Sequence, residues 1–310
     1  YIQPAGTQPF KGFGNLVGAI LQPVNPVNPP VAGEKKWTNV GGKVGLDYQF
    51  EPTIMGYGYY ARGFKSGGFN GRISLASDLG PFDPEFVDSF EIGAKTDWLE
   101  HRLRVNVAAF LNKWHDMQVD EVFFNAGVQH SAIVNAAKAT TKGVEVEMQL
   151  LVTRGLRLDG NVGYLRANYD NFQVGTGPTC PPQPTPQPIP CSNVYDGSSL
   201  PYSPQFTAAV DANYTFPLFE GQADALVQWT YNGERWGNFT EQTSELLRSN
   251  SLVNANLSWS PKQSKYTVSV WGRNLLDKKY LSLALDAPPI FTEGLLGNPR
   301  EFGVDLKFNF

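Results

Sequence analysis

From Lys142 onward, polar and apolar residues take turns. Val144, Val146, Met148, Leu150 and Val152 are apolar; Gly143 precedes them, and Glu145, Glu147 and Gln149 separate the first four. A period of two is the pattern of a β-strand with one apolar face. Leu103, Val105, Val107, Ala109 and Leu111 repeat it, as do Phe206, Ala208, Val210, Ala212, Tyr214 and Phe216. At the carboxyl end Phe302, Val304, Leu306, Phe308 and Phe310 alternate with Gly303, Asp305, Lys307 and Asn309. Apolar residues rarely recur at helical spacing. The pattern predicts about eleven strands, near 37–50, 53–66, 85–98, 102–124, 128–152, 156–172, 204–216, 221–239, 248–260, 265–276 and 300–310.

The connections alternate in length as well. Glu51-Pro52, Leu99 to His101, Thr153 to Gly155, Pro217 to Gly221 and Pro261 to Ser264 are short turns. Stretches 67–84, 173–203, 240–247 and 277–299 are long and irregular, and only Asn125 to Gly127 breaks the alternation. A soluble antiparallel sandwich favours strands of about five or six residues. These run well beyond that, and about ten tilted residues cross a bilayer. Short turns at one end and long loops at the other are the layout of an antiparallel transmembrane β-barrel. Aromatic residues towards strand ends fit its interfacial girdles: Trp37, Tyr48, Phe50, Tyr57, Tyr59, Trp98, Trp114, Trp229, Tyr231, Trp236, Trp259 and Tyr266.

Composition at first points elsewhere. The 310 residues carry a formal charge of −4 and are 41% hydrophobic, 13% aromatic and 17% charged. A mean hydropathy of −0.29 resembles that of a soluble protein. Alternation resolves the conflict, because lipid-facing and lumen-facing residues average to a soluble-looking mixture. The weakly acidic charge argues against a nucleic-acid partner. No apolar run reaches helical transmembrane length, and Tyr1-Ile2-Gln3-Pro4 has none of the features of a signal peptide.

Chemistry-bearing constellations are sparse. Lys43, Asp47, Arg62, Glu91, Lys95, Arg104, Glu145, Glu147, Arg157, Asp159, Asp211, Asp224, Arg273, Asp305 and Lys307 are expected to share the polar face. Mixed charges on one face suit a wet lumen or a polar plug, although a solvated sheet face has the same look. Cys180 and Cys191 bracket a Pro-rich run in the longest loop. A local disulfide worth about 3 kcal/mol is expected there. A metal pair is the rival reading, but no His or further Cys lies near.

His101, His115 and His130 show no paired metal-ligand spacing, so no metal site, cofactor or enzymatic activity is expected. His130 and Ser131 are adjacent in a strand and so point to opposite faces. Gly67-Gly68 lacks the rest of a phosphate loop and instead suits a strand's exit into a loop. Ligand contact is the use left for the loops. Arg62, Phe64, Lys65, Phe69, Asn70 and Arg72 combine aromatic surface with cationic and amide donors, and Tyr195, Tyr202, Trp236 and Phe239 add similar surface. Such a mixture can hold an anionic, partly aromatic metal chelate. Belt formation or loop packing is the competing role for each.

Several passages resemble the TonB-dependent outer-membrane receptors. They are Tyr57 to Asn70, Pro84 to Lys95, Lys142 to Glu147 and Gly272 to Tyr280, in an order that spans most of residues 37–310. The terminal Phe310 is similar to the aromatic residue by which such barrels are recognised by the barrel-assembly machinery. Counting strands back from it, eleven of about 22 would form the carboxyl-terminal half of a transporter barrel. Residues 1–36, with Pro23, Pro26, Pro29 and Pro30, would be a Pro/Gly-rich extracellular loop segment.

The resemblance implies a Gram-negative outer-membrane location and lipid contact. It also implies TonB-driven uptake of a scarce bulky solute, foremost a ferric siderophore or other iron complex. The plug that would contact the TonB inner-membrane complex is not within these residues. The alternatives are TonB-dependent uptake of a carbohydrate or vitamin, a passive porin-like channel, and a soluble β-rich binding protein.

Overall fold

The computed structural model describes residues 33–71, 79–125, 128–174, 193–262, 265–287 and 291–308. Eleven long strands form one antiparallel meander: β1 (Gly42–Glu51), β2 (Ile54–Lys65), β3 (Glu85–Trp98), β4 (Leu103–Asn125), β5 (Val128–Leu151), β6 (Leu156–Val174), β8 (Phe206–Leu218), β9 (Gly221–Asn232), β12 (Asn250–Pro261), β13 (Tyr266–Arg273) and β16 (Glu301–Phe308). The short strand β7 (Asn193–Val194) adds to β6. Two small hairpins stand apart from the sheet, β10 (Arg235–Trp236) with β11 (Leu246–Leu247) and β14 (Leu281–Ala287) with β15 (Phe291–Leu296). Among the described residues no helix is long and apolar enough to cross a membrane.

The eleven expected strands are the eleven of the meander, with corrected ends. β9 stops at Asn232, not near residue 239, because the Gly233 amide turns back to the Phe206 carbonyl and the chain goes on to form β10. β13 stops at Arg273 because Asn274 enters the left-handed region at φ 47° and its side chain bonds Lys278 and Asn298. The stretch 277–299, expected to be irregular, contains the β14–β15 hairpin.

Register sorts every strand into two faces, because directly paired residues share one. Leu46, Gly58, Ile92, Ala109, Val144, Tyr164 and Phe206 form one continuous cross-strand row. Trp98, Leu103, Leu150, Leu158, Ala212, Val227, Ala255, Gly272 and Phe302 form another, nearer the tight turns. This face is apolar yet open: Ile92 is 68% exposed and Val304 68%. An apolar surface of this extent marks contact with a partner or a membrane. It fits an outer wall in lipid.

Aromatic residues edge the band. At the tight-turn end stand Tyr48 and Phe50 (4.9 Å between ring centroids), Tyr214 and Phe216 (5.1 Å), and Trp259 and Tyr266 (6.0 Å). At the loop end stand Tyr60 with Phe90 and Tyr164 with Phe206, each pair 5.1 Å apart. Phe90 and Trp98 lie about eight residues apart along β3, or ~27 Å along the strand and ~20 Å along the membrane normal once tilted. That is close to the ~25 Å apolar band of outer-membrane barrels.

Five aromatic residues expected in the girdles lie elsewhere, Trp37 against Phe69 and Asp83 in a loop and Trp236 in β10, apart from the sheet. Tyr57 and Tyr59 share the opposite, polar face with Asp47 and Gly45, and Trp114 packs on a buried cluster beyond the band. Charge is sorted by the same register, with one correction. Arg62 pairs with Gly42 and Asp88, one residue out of phase with the polar rows, and so lies on the outward side.

The buried apolar cluster sits where β4, β5 and β6 overshoot the band. Phe172, Tyr169, Ala137 and Ala139 are buried there, with Trp114, Met117, Tyr195, Leu200 and Phe239 packed around them. This cluster belongs to the loop end and draws its residues from three strands and two loops.

Candidate functional site

Two surfaces are built for contact with something other than lipid: the polar wall and the braced loops at its mouth. On the wall, charges answer one another. Arg104 donates to Asp97 at 2.9 Å, Arg157 donates to Asp159 at 2.7 Å, and Asn106 donates to Glu147 at 3.4 Å. Tyr57 and Tyr59 both donate to Glu91, at 2.8 and 2.7 Å. Lys43 lies over the Tyr59 ring at 3.5 Å. A shallow recess of about 350 Å³ opens between Arg104, Asn106, Glu147, Gln149, Asp159 and Asp211. Cross-strand spacing makes these groups neighbours, so the wall is a polar surface of mixed charge, with Arg104 among three carboxylates in the recess.

At the loop end, the chain leaving β2 is tied down by side chains from distant strands. Gly67 and Gly68 let it pass close to its return leg. A Cβ on Gly67 would sit 2.5 Å from the Phe82 carbonyl oxygen and 2.6 Å from Trp37 Nε1. The Gly68 and Phe82 amides exchange backbone bonds of 3.1 and 3.0 Å.

Asn135 on β5 then acts as a clamp. Its carbonyl accepts the Asp83 amide at 2.7 Å, and its amide nitrogen donates to the Asp83 and Asp116 carbonyls, both at 2.8 Å. Gln118 donates to the Ser66 and Asp83 carbonyls. The Lys35 ammonium and the Trp37 indole N–H both reach the Asp83 carboxylate and hold it below the usual carboxylate range. Bonding to the charged form favours that form.

A second braced loop lies across the mouth. Glu245 is buried and accepts from Asn238, Thr240 and the Gln242 amide. Phe239 meets Phe172 and Tyr195 edge to face, each at 4.8 Å. The Tyr202 amide donates to the Trp236 carbonyl at 2.8 Å.

The expected contact residues divide accordingly. Arg62 and Phe64 lie outward, Arg62 beside Asp88 at 3.4 Å and over the Phe86 ring at 5.0 Å. Lys65 ends β2 opposite Glu85, exposed and on the wall side. Phe69 meets Trp37 at 5.9 Å. Asn70 is buried and accepts the Ile133 amide at 2.8 Å. Tyr195 and Trp236 are half-buried in the second loop system. The structure therefore gathers Phe69 and Asn70 with Trp37 and Asp83, and Tyr195 with Phe239. It does not gather the seven described ones into one site.

Arg72, Cys180, Cys191 and Phe310 lie outside the described residues, as does most of segment 1–36. Sequence reasoning missed the clamps Asn135, Gln118 and Glu245. An Asn inside the β5 alternation was the one local signal for them.

Comparison with known proteins converges on this architecture. The TonB dependent receptor-like, beta-barrel family profile matches residues 21–275. The metal-pseudopaline receptor of Pseudomonas aeruginosa is 27% identical over 272 residues, which are 86% of this chain and 33% of that protein. The pesticin receptor of Yersinia pestis is 22% identical over 279 residues, 90% of this chain and 37% of that protein. Among solved structures, the ferric yersiniabactin uptake receptor of Yersinia pestis superposes with a TM-score of 0.71 at 19% identity. That match covers 87% of this chain and 37% of the other. A copper transporter superposes at 0.64 with 16% identity, covering 87% and 40%. The chain thus spans about a third of the length of the curated relatives it matches. Family profile, strand meander and lipid-facing band agree: the chain belongs to the TonB dependent receptor-like beta-barrels of the outer membrane.

Proposed function

We propose that the protein to which this wall belongs takes up a metal chelate, foremost a ferric siderophore, driven through the TonB complex. The observation that carries this reading is the family match of residues 21–275, taken with relatives named as metal-chelate receptors. The geometry supports it. A wall of mixed charge suits a solvated lumen, and loops braced by Asn135 and Glu245 hold aromatic and cationic side chains at its mouth. Lys65, Phe69, Tyr195 and Trp236 retain surface for a chelate, through ring contact and charge-assisted hydrogen bonds. Arg62 and Asn70 instead hold structure. The protein does no covalent chemistry, contacts the TonB complex through a plug domain, and enters the membrane through the barrel-assembly machinery.

The test is uptake of radiolabelled ferric chelates by a deletion strain carrying the full-length gene. Uptake must appear with the gene and vanish when the proton gradient is collapsed. Uptake that survives the uncoupler, or ungated conductance in planar bilayers, would establish a passive channel instead. Labelled sugars or vitamins in place of chelates distinguish the other cargoes.

A further inference from the structure

The loops across the mouth are bonded closely to the sheet and to one another. Asp196 accepts the Phe172 amide at 2.8 Å, and Glu241 accepts the Ser199 amide at 2.6 Å. Asn168 donates to the Gly197 carbonyl and the Ser198 hydroxyl to the Tyr195 carbonyl, both at 2.8 Å. One group beneath them is left out. The Trp114 indole N–H is buried and, among the described residues, has no hydrogen-bond partner.

The surroundings explain why. Trp114 pairs with Val87 and Ala139, on the wall side of β4, and packs on the cluster of Ala137, Ala139, Tyr169 and Phe172. Tyr195, Leu200 and Phe239 close over the same cluster from the loops. Burial pushes the Tyr169 phenol up, because a dry setting disfavours its charged form. A buried donor without an acceptor destabilises whatever conformation buries it.

The ladders also break here. Register shifts fall between Trp114 and Met117 on β4 and between Lys138 and Ala139 on β5. Asp116, inside the first, has a left-handed φ of 53°. A bulge bends its strand and leaves a residue unpaired, and a left-handed non-glycine residue carries backbone strain. The loops thus rest where the sheet is least fixed by its own hydrogen bonds.

We propose that Trp114 biases segments 195–200 and 237–247 towards opening, because its N–H is unpaired while they lie shut and meets water when they lift. The indole opposes the ring contacts that Phe172, Tyr195 and Phe239 make with one another, so the segments form a lid poised to open. The device does not depend on what the lid admits. A failed uptake assay leaves it intact, and its own failure leaves the uptake reading intact.

Hydrogen exchange of the full-length protein in detergent, read by mass spectrometry, tests it. The key variant is Trp114→3-benzothienylalanine, in which sulfur replaces the N–H group and the ring keeps its shape. An unpaired buried donor corresponds to roughly five- to 150-fold in an equilibrium. Peptides covering 195–200 and 237–247 should therefore exchange about tenfold more slowly in the variant, with β8 and β9 unchanged. Trp114→Ala, which leaves a cavity, should instead speed them about tenfold or more. A purely structural indole gives no slowing on loss of its N–H. Slowing by less than about threefold, or any speeding, in the isosteric variant overturns the proposal. Should that variant lack heat-modifiable mobility, resonance Raman spectroscopy decides. The difference spectrum between the parent and Trp114→Phe isolates the ring band that reports N–H bonding. An unbonded indole is expected, and a bonded one overturns the proposal.

Discussion

Replacing Phe172 by Ala should unlatch the loops without opening the barrel. The ring is fully buried, stacked on Tyr169 at 4.5 Å and met by Phe239 at 4.8 Å and Tyr195 at 5.7 Å. A buried aromatic side chain covers about 150–250 Å², or ~4–6 kcal/mol at ~25 cal/mol per Å². Measured Phe→Ala changes in cores cost about 3–5 kcal/mol. Segment 195–200 is otherwise held to β6 by hydrogen bonds alone. Backbone bonds run from the Gly197 amide to Tyr169 at 2.8 Å and from the Leu200 amide to Ala167 at 3.0 Å, and the Asn168 amide and Asp196 carboxylate bond the Gly197 carbonyl and the Phe172 amide, each at 2.8 Å. A loss of ~3 kcal/mol raises the open population at least about a hundredfold. Hydrogen exchange read by mass spectrometry should then speed up by that factor in peptides covering 195–200 and 237–247. The exchange of β8 and β9 and the heat-modifiable mobility should not change, because the sheet draws its stability from the apolar band. Phe172→Leu should recover most of the protection. Exchange within threefold of the parent in 195–200 would refute the latch, and loss of barrel mobility would refute its independence from the sheet.

Three further outcomes follow from the braces. Asn135→Ala removes three hydrogen bonds worth about 1 kcal/mol each before water replaces them. Proteolysis within residues 79–84 should rise about tenfold, and an unchanged rate would count against the clamp. Glu245→Gln places an amide donor against the donors Asn238, Thr240 and Gln242. The loop should lose about 2 kcal/mol, read as faster chymotryptic cleavage at Phe239. The Asp83 carboxyl is held low by Lys35 and Trp37, so its contact is fully formed above the ordinary carboxylate pKa of about 3.9 and lost as pH falls through the lowered value. A titration of Trp37 fluorescence should find a midpoint below about 3.9, moved upward by Lys35→Gln. A parent midpoint at or above 3.9 would contradict the assignment.

The strands were legible because each repeats its period over ten or more residues, and one apolar face demands a single register. Where both parities carry large side chains the signal fails. β2 has Tyr57, Tyr59 and Tyr60 within four residues, and only its pairing with Asp88 and Glu91 shows that Arg62 lies outward and Tyr59 inward. The β14–β15 hairpin left a trace in the alternation of Leu281, Leu283 and Leu285, but at seven and six residues its strands are too short to stand out between long loops. The braces were hardly legible. Asn135 meets Asp83 across 52 residues of sequence, and Ser199 meets Glu241 across 42. Local periodicity carries no information about such partners. They exist because the sheet brings distant loops to one rim.

The length of β4 and β5 has a mechanical consequence. They run for 23 and 24 residues and stay paired out to Asn125 and Val128. The apolar band ends near Leu111, so fourteen further residues of β4 stand above it, ~46 Å along the strand and ~35 Å along the normal. A hydrogen-bonded ribbon of that height is a stiff spar. It would carry a peptide inserted between Asn125 and Val128 clear of the lipid surface, within reach of an antibody or a colliding particle. A load applied there would be passed by the ladder into β3 and β6, and so into the rim where Asn135 and Phe172 hold the loops.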